Sequence, residues 1–143
     1  MVWLSRDLKN FKMETKIMLP QNFYYTKDHE WAVIDGDVAT IGITDYAQRS
    51  LGEITYIELP AVKKQFKAHD ILAVVESSKA ASDVYSPLPG EVFAVNDELS
   101  SQPELINTDC YNDGWICKIK ISSPAEVKNL MTAAQYEEYL KKI

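Results

Sequence analysis

The stretch Val74-Val-Glu-Ser-Ser-Lys-Ala-Ala-Ser-Asp-Val-Tyr-Ser-Pro87 decides how this chain is read. An apolar run reaches Glu76, then Ser77, Ser78, Ala80, Ala81 and Ser82 surround a single lysine, and a second apolar run begins at Val84. Two strands joined by a tip that carries Lys79 are the expectation. Small neighbours leave room for a modifying enzyme to engage both strands and the amine together. From spacing alone, a solvated lysine in a turn is the simpler reading, because exposed lysines are common.

Outward from this hairpin the punctuation stays that of a β-rich domain. Ala32-Val-Ile-Asp-Gly-Asp-Val-Ala-Thr-Ile-Gly-Ile43 places Asp35-Gly36 between two apolar runs, which predicts two paired strands joined by a type I′ turn. A short helix is expected to begin at Asp45, whose carboxylate caps it with Gln48 at the capping-box position, and to stop at Gly52, with Ala47 and Leu51 on one face. Further strands are expected at Ile54 to Leu59, Ile71 to Ser77 and Glu91 to Val95, with Ser86-Pro-Leu-Pro-Gly90 as a turn. Alternation in Trp115-Ile-Cys-Lys-Ile-Lys-Ile121 puts Trp115, Cys117, Ile119 and Ile121 on one face, which makes Cys117 a small core residue rather than a reactive thiol.

The period changes near the C-terminus. Ser123-Pro-Ala-Glu126 reads as a capping box with proline at the first helical position, ahead of Val127, Leu130 and Met131. Thr132-Ala-Ala-Gln135 repeats the device ahead of Tyr136, Tyr139 and Leu140. Two short amphipathic helices packed on the sheet are expected. At the other end, Arg6, Lys9, Lys12 and Lys16 outnumber Asp7 and Glu14, so residues 1–19 read as an extension, possible disorder included, and residues 20–143 as the domain. The stretch is too acidic and too poor in arginine and serine for a strong mitochondrial presequence, and Met13 and Met18 leave a later start open.

A chain of 143 residues fits one domain with a single core, not a catalytic domain plus a cofactor domain. Its net charge of −6 disfavours a nucleic-acid partner, and no apolar run is long enough to span a bilayer. Cys110 and Cys117 form neither a disulfide framework nor a zinc-site spacing, which suits a reduced, intracellular protein with no metal. His29 and His69 have no strained Gly-x-Ser-x-Gly elbow to serve, and a phosphate-cradling glycine loop is missing. His29, two residues before Trp31, reads as a packing or local capping residue. No catalytic residue is assigned.

Glu76-Ser-Ser-Lys79-Ala-Ala-Ser-Asp83-Val-Tyr-Ser-Pro87 followed by Gly90-Glu91-Val92 resembles the lipoylation motif of glycine-cleavage H proteins. His29-Glu30-Trp31, Ala39-Thr-Ile-Gly-Ile-Thr-Asp45, Ala47-Gln48, Leu51-Gly-Glu53, Glu58-Leu-Pro60 and Gly114-Trp115 are similar to that family's other motifs, in the same order. The likeness runs from about residue 20 to the C-terminus. Ser78-Lys79-Ala80 is neither the Asp-Lys-Ala of lipoyl domains from 2-oxoacid dehydrogenases nor the Met-Lys-Met of biotin carriers. The resemblance implies a mostly β fold, a flattened β-sandwich or barrel-sandwich hybrid of the lipoyl-domain type, with short peripheral and C-terminal helices.

For function, the resemblance implies a non-enzymatic, monomeric carrier with lipoic acid amide-linked to Lys79. Lysine and acyl chain together make an arm of roughly 14 Å. In the family it takes an aminomethyl group from glycine decarboxylase (P protein) to aminomethyltransferase (T protein), and is reoxidised by dihydrolipoamide dehydrogenase (L protein). A lipoate ligase, or a lipoyl or octanoyl transferase, attaches the cofactor, and Glu76 matches a position such an enzyme reads. Glu30 and Asp83 match positions that approach the loaded amine, with Leu51 along the apolar side of the docked arm. The expected compartment is the cytoplasm in a bacterium and the mitochondrial matrix in a eukaryote. An H-like protein that relays lipoyl groups to other enzymes, or serves another lipoyl-dependent system, needs the same lysine and is the alternative. Two departures stand out: Lys63 where the family usually has glycine, and Asp109-Cys-Tyr-Asn-Asp-Gly-Trp115 in place of its common approach to Gly-Trp.

Overall fold

The computed structural model describes residues 19–143, so the expected extension, apart from Leu19, lies outside the described residues. In chain order the elements are β1 (Tyr24–Tyr25), β2 (Glu30–Asp35), β3 (Val38–Ile43), α1 (Asp45–Leu51), β4 (Ile54–Glu58), β5 (Gln65–Phe66), β6 (Ile71–Ser77), β7 (Ala81–Tyr85), β8 (Gly90–Val95), α2 (Glu98–Ser101), α3 (Leu105–Thr108), β9 (Cys117–Ile121), a 3-10 turn (Pro124–Asn129) and α4 (Ala133–Lys142). A six-stranded antiparallel sheet has the order β1-β2-β3-β9-β8-β5, and β4-β6-β7 form a three-stranded sheet. Alternating apolar residues of the two sheets, among them Ile41, Val92 and Ile119 from the larger and Ile57, Val75 and Val84 from the smaller, make one buried core between them. This is the expected flattened β-sandwich.

A second cluster lies elsewhere in the molecule. Leu19, Tyr25 and Trp31 bury themselves with Ala133, Tyr136 and Leu140 of α4. Leu19 thus belongs to the packed domain, one residue before the boundary expected from charge. The α4 helix starts as its sequence demands: Thr132 accepts from the Gln135 amide while the Gln135 side chain accepts from the Thr132 amide, so both bonds of a capping box are present.

Four local expectations are corrected. Register pairs Asp35 with Val38, so Gly36 and Asp37 form the two-residue loop, and Gly36 alone takes a positive φ of 64°, as in a type II′ turn rather than type I′. Thr44, not Asp45, caps α1 by accepting from the Ala47 amide; Asp45 sits in the first turn and holds Gln48 and Arg49 by their side chains. Ser123 makes no side-chain cap, and the turn after it is a 3-10 helix. β9 begins only at Cys117, and the approach to it is held by Asn96, whose side chain donates to the carbonyls of Asp113 and Trp115. Ile116 and Cys117 are both buried there, and Trp115 packs with the second cluster instead of the main core.

Candidate functional site

β6 and β7 pair with Val74 opposite Asp83, Val75 opposite Ser82 and Glu76 opposite Ala81, leaving Ser78, Lys79 and Ala80 as the tip. Closure relies on Ser77. Its amide donates to the Ala80 carbonyl at 2.8 Å, and its hydroxyl oxygen accepts from the amides of Lys79 (3.4 Å) and Ala80 (3.2 Å). One serine thus satisfies two of the donors at the tip. Every residue from Ser78 to Asp83 is exposed, and the Lys79 ammonium has no ion-pair partner among the described residues.

One element outside the hairpin does approach the lysine. Gly52 ends α1 with φ 82° and ψ −158°, a combination essentially confined to glycine. A Cβ placed on it would lie 3.4 Å from Lys79 Cε and 3.9 Å from Nζ, ordinary van der Waals separations, so the lysine stem passes close to this turn. Leu51, immediately before it, is half-buried and packs against the main core. Glu76 is exposed on the strand leading into the tip, and its carbonyl accepts from the Thr55 hydroxyl at 3.3 Å.

Glu30 lies in a different environment. It is only 2% exposed, at the start of β2. Its carboxylate accepts from the Thr26 hydroxyl at 2.5 Å and from the Tyr85 amide at 3.1 Å, and so bridges the large sheet to β7. Burial pushes its carboxyl up from the ordinary 4.5 to about 7, against the two hydrogen bonds that favour the charged form. It meets β7 two residues, about 7 Å, along the strand from Asp83. Asp83 itself is exposed and opposite Val74. The structure therefore puts Lys79 near Gly52 at one end of the hairpin, with Asp83 and the Glu30 bond to Tyr85 further along β7.

Beside Glu30, His29 turns the chain into β2 with φ 69°, and its Nδ1 meets the Tyr136 hydroxyl at 2.8 Å. Its ring lies 4.4 Å from that of Tyr46, centroid to centroid, so the packing role read from sequence is the one observed. Cys117 is likewise a buried free thiol of the core.

Asn107 was not legible as part of this region. It lies on the four-residue α3, where no amphipathic period marks a face, yet its side chain reaches Gln48, Gly52 and Ile54. Among the described residues, no group of three His, Cys, Asp or Glu could hold a metal ion, and no helix is long and apolar enough to cross a membrane.

A sequence model of the glycine cleavage H-protein family matches residues 23–143. The chain belongs to that family. It is 47% identical over 125 residues to the glycine cleavage system H protein of Halothermothrix orenii, covering 87% of this chain and 98% of that one. With the H protein of Methylacidiphilum infernorum the identity is 50% over 123 residues, 86% of this chain and 96% of the other. The crystal structure of the H protein from Mycobacterium marinum superposes with a TM-score of 0.79 at 33% identity, across 85% of this chain and 98% of that structure. The lipoyl-domain type of fold and the carrier role in the glycine cleavage system expected from the hairpin motif stand with this H-protein membership.

Proposed function

We propose that Lys79 is the residue that carries lipoic acid, in amide linkage, and that the chain is a non-enzymatic carrier whose partners do the bond-making. The observation that supports this most directly is the tip itself, an exposed lysine among small residues, without an ion-pair partner among the described residues, at the apex of a hairpin closed by Ser77. Acylation removes the lysine charge and demands no rearrangement of a partner. Bound lipoate supplies a disulfide that takes up a one-carbon amine and electrons; the protein supplies placement. The stem passes close to Gly52, and Leu51, the preceding residue, partly buried against the main core, is assigned to the apolar side of the docked arm.

Glu30 and Asp83 are the acids assigned to the amine of the loaded arm. A cation arriving near a carboxyl that titrates at about 7 favours its ionised form, so docking and ionisation of Glu30 reinforce each other. Asp83, exposed, contributes a weaker and solvent-screened attraction. The partners are glycine decarboxylase, aminomethyltransferase and dihydrolipoamide dehydrogenase, and the lipoyl-attaching enzyme reads Glu76 on the approach to the tip. The carrier works as a monomer, in the cytoplasm of a bacterium or the mitochondrial matrix of a eukaryote.

Peptide mass spectrometry after incubation with lipoate and a ligase tests the assignment. One lipoyl group on Lys79 is expected; lipoate on Lys118 or Lys120, or an unmodified Lys79, rejects it. Glycine exchange reconstituted with the decarboxylase and aminomethyltransferase of the same organism then separates the carrier from a lipoyl relay, which would be lipoylated but inactive in exchange. Replacing Glu76 by alanine should slow lipoylation substantially and affect exchange by preloaded protein much less.

A further inference from the structure

Asn107 spends its side chain on one turn. Its Oδ1 accepts from the Ile54 amide at 2.9 Å, and its Nδ2 donates to the Gly52 carbonyl at 2.9 Å and to Gln48 Oε1 at 2.9 Å. Both donors and the acceptor oxygen are in use, which also fixes the orientation of the amide. Gln48 is held in turn, donating to Asp45 Oδ1 at 2.8 Å. The chain between α1 and β4 is therefore pinned on both sides of Glu53 by a residue more than fifty positions away. It is also the turn that the Lys79 stem passes, since a Cβ built on Gly52 would stand 3.4 Å from Lys79 Cε.

The backbone conformation of Gly52 is one that other residues avoid, and a glycine in it has wide freedom to leave. Hydrogen bonds to its own carbonyl and to the Ile54 amide remove that freedom. The hairpin tip fixes the Lys79 backbone through Ser77 but provides nothing that restrains the side chain beyond it.

We propose that Asn107 is a positioning residue for the acceptor lysine: by pinning the Gly52 carbonyl and the Ile54 amide, it holds the floor under the Lys79 stem and sets the direction in which the arm leaves the hairpin. The part that concerns the arm rests on the proposed acylation of Lys79; the part that concerns the stem does not. Without the pin the Gly52 turn relaxes, the stem loses its floor and the amine samples a wider cone. An enzyme that must capture that amine then binds it less well, while its chemistry on a captured amine is unchanged.

The unmodified full chain is tested first, by nuclear Overhauser contact between the Gly52 α-hydrogens, one of which occupies the Cβ position, and the Lys79 ε-hydrogens. The contact is expected in the parent, and expected to weaken severalfold in Asn107→Ala while the Val75 to Ser82 cross-strand contacts persist. Asn107→Asp keeps an acceptor for Ile54 but has no donor for Gly52, so a partial loss is expected; it carries the test if the alanine variant does not fold. In the second measurement, Asn107→Ala should raise the KM of lipoylation about three- to tenfold at unchanged kcat, as for a misplaced but intact acceptor. A full-strength Gly52 to Lys79 contact in a folded variant overturns the proposal, and so does an unchanged KM or a lower kcat at unchanged KM. A parent that shows the contact yet is never lipoylated rejects the acylation of Lys79 and leaves the floor under its stem standing.

Discussion

The tip of the β6–β7 hairpin and the corner where α4 meets β2 are built on opposite principles. At the tip, small exposed residues hold one lysine, and a single serine provides the closure. At the corner, Tyr25 stacks on Tyr136 at 4.7 Å, Trp31 donates to the Cys110 carbonyl at 2.9 Å, and the Tyr136 hydroxyl joins His29 to Thr44. Rigidity is concentrated where nothing has to move. The proposed carrier lysine needs reach, and strong contacts on its side chain would have to be broken at every transfer. Glu30 is the link between the regions, since it belongs to the corner by sequence and bonds to the hairpin by geometry.

The largest expected effect comes at the tip and spares stability. Lys79→Arg keeps a cation on an exposed apex but removes the acylatable amine, so lipoylation and carrier activity should vanish while the thermal midpoint stays within about a degree or two of the parent. A large fall in midpoint would show that the tip carries structural weight and would break the contrast.

Next comes the link. Glu30 is protonated in both states below its ordinary 4.5 and ionised in both well above about 7. Between those values the folded state binds a proton that the unfolded state has lost, so the Glu30 contribution to stability is full at low pH and is lost as pH rises through about 7. At roughly 1.4 kcal/mol for each pH unit of displacement, the swing is on the order of 3 kcal/mol. His29, whose pKa burial lowers, works in the opposite sense: its contribution is present above its ordinary value and lost as pH falls. Subtracting the denaturation free energies of Glu30→Gln from those of the parent across this range removes the His29 part. A flat difference would mean that Glu30 is not held as a buried acid.

In the corner, Tyr136→Phe removes a hydroxyl that lies 2.8 Å from both His29 Nδ1 and Thr44 Oγ1. Losing it should cost about 1–3 kcal/mol in urea unfolding, with the lipoylation rate of the folded protein unchanged. An equal loss of lipoylation would show the two regions to be coupled.

The smallest effect concerns the loop before β5. Lys63 occupies φ 78° in this chain, a left-handed conformation that suits glycine. That accounts for the glycine usual at this place in the family, and Lys63→Gly should stabilise the fold by about 0.5–1 kcal/mol in the same assay, a left-handed residue costing about 1–2 kcal/mol before the entropy of glycine is set against it. The Lys63 amide bond to the Val92 carbonyl, at 2.6 Å, is available to either residue.

What was legible without the structure is what neighbouring residues decide among themselves. The β6 limits, the lysine at the tip, the burial of Cys117 and the capping box of α4 depend on periods of two or of three to four residues and on side chains that reach only the next turn. Competition between adjacent candidates already escaped that reading, as when Thr44 took the cap from Asp45 because its hydroxyl, not the carboxylate, faces the Ala47 amide. Packing of the sheets and the segments between them decided the rest. It buried Glu30 under Thr26 and Tyr85, 55 positions from the latter, and set Asn107 against a turn 53 positions upstream. Such pairs leave no period in the sequence, because the distance between them is fixed by the register of strands that neither residue belongs to alone. The place of Lys79 at the tip could be read from its neighbours; the turn that its stem passes takes shape only once β4, β6 and α3 have come together.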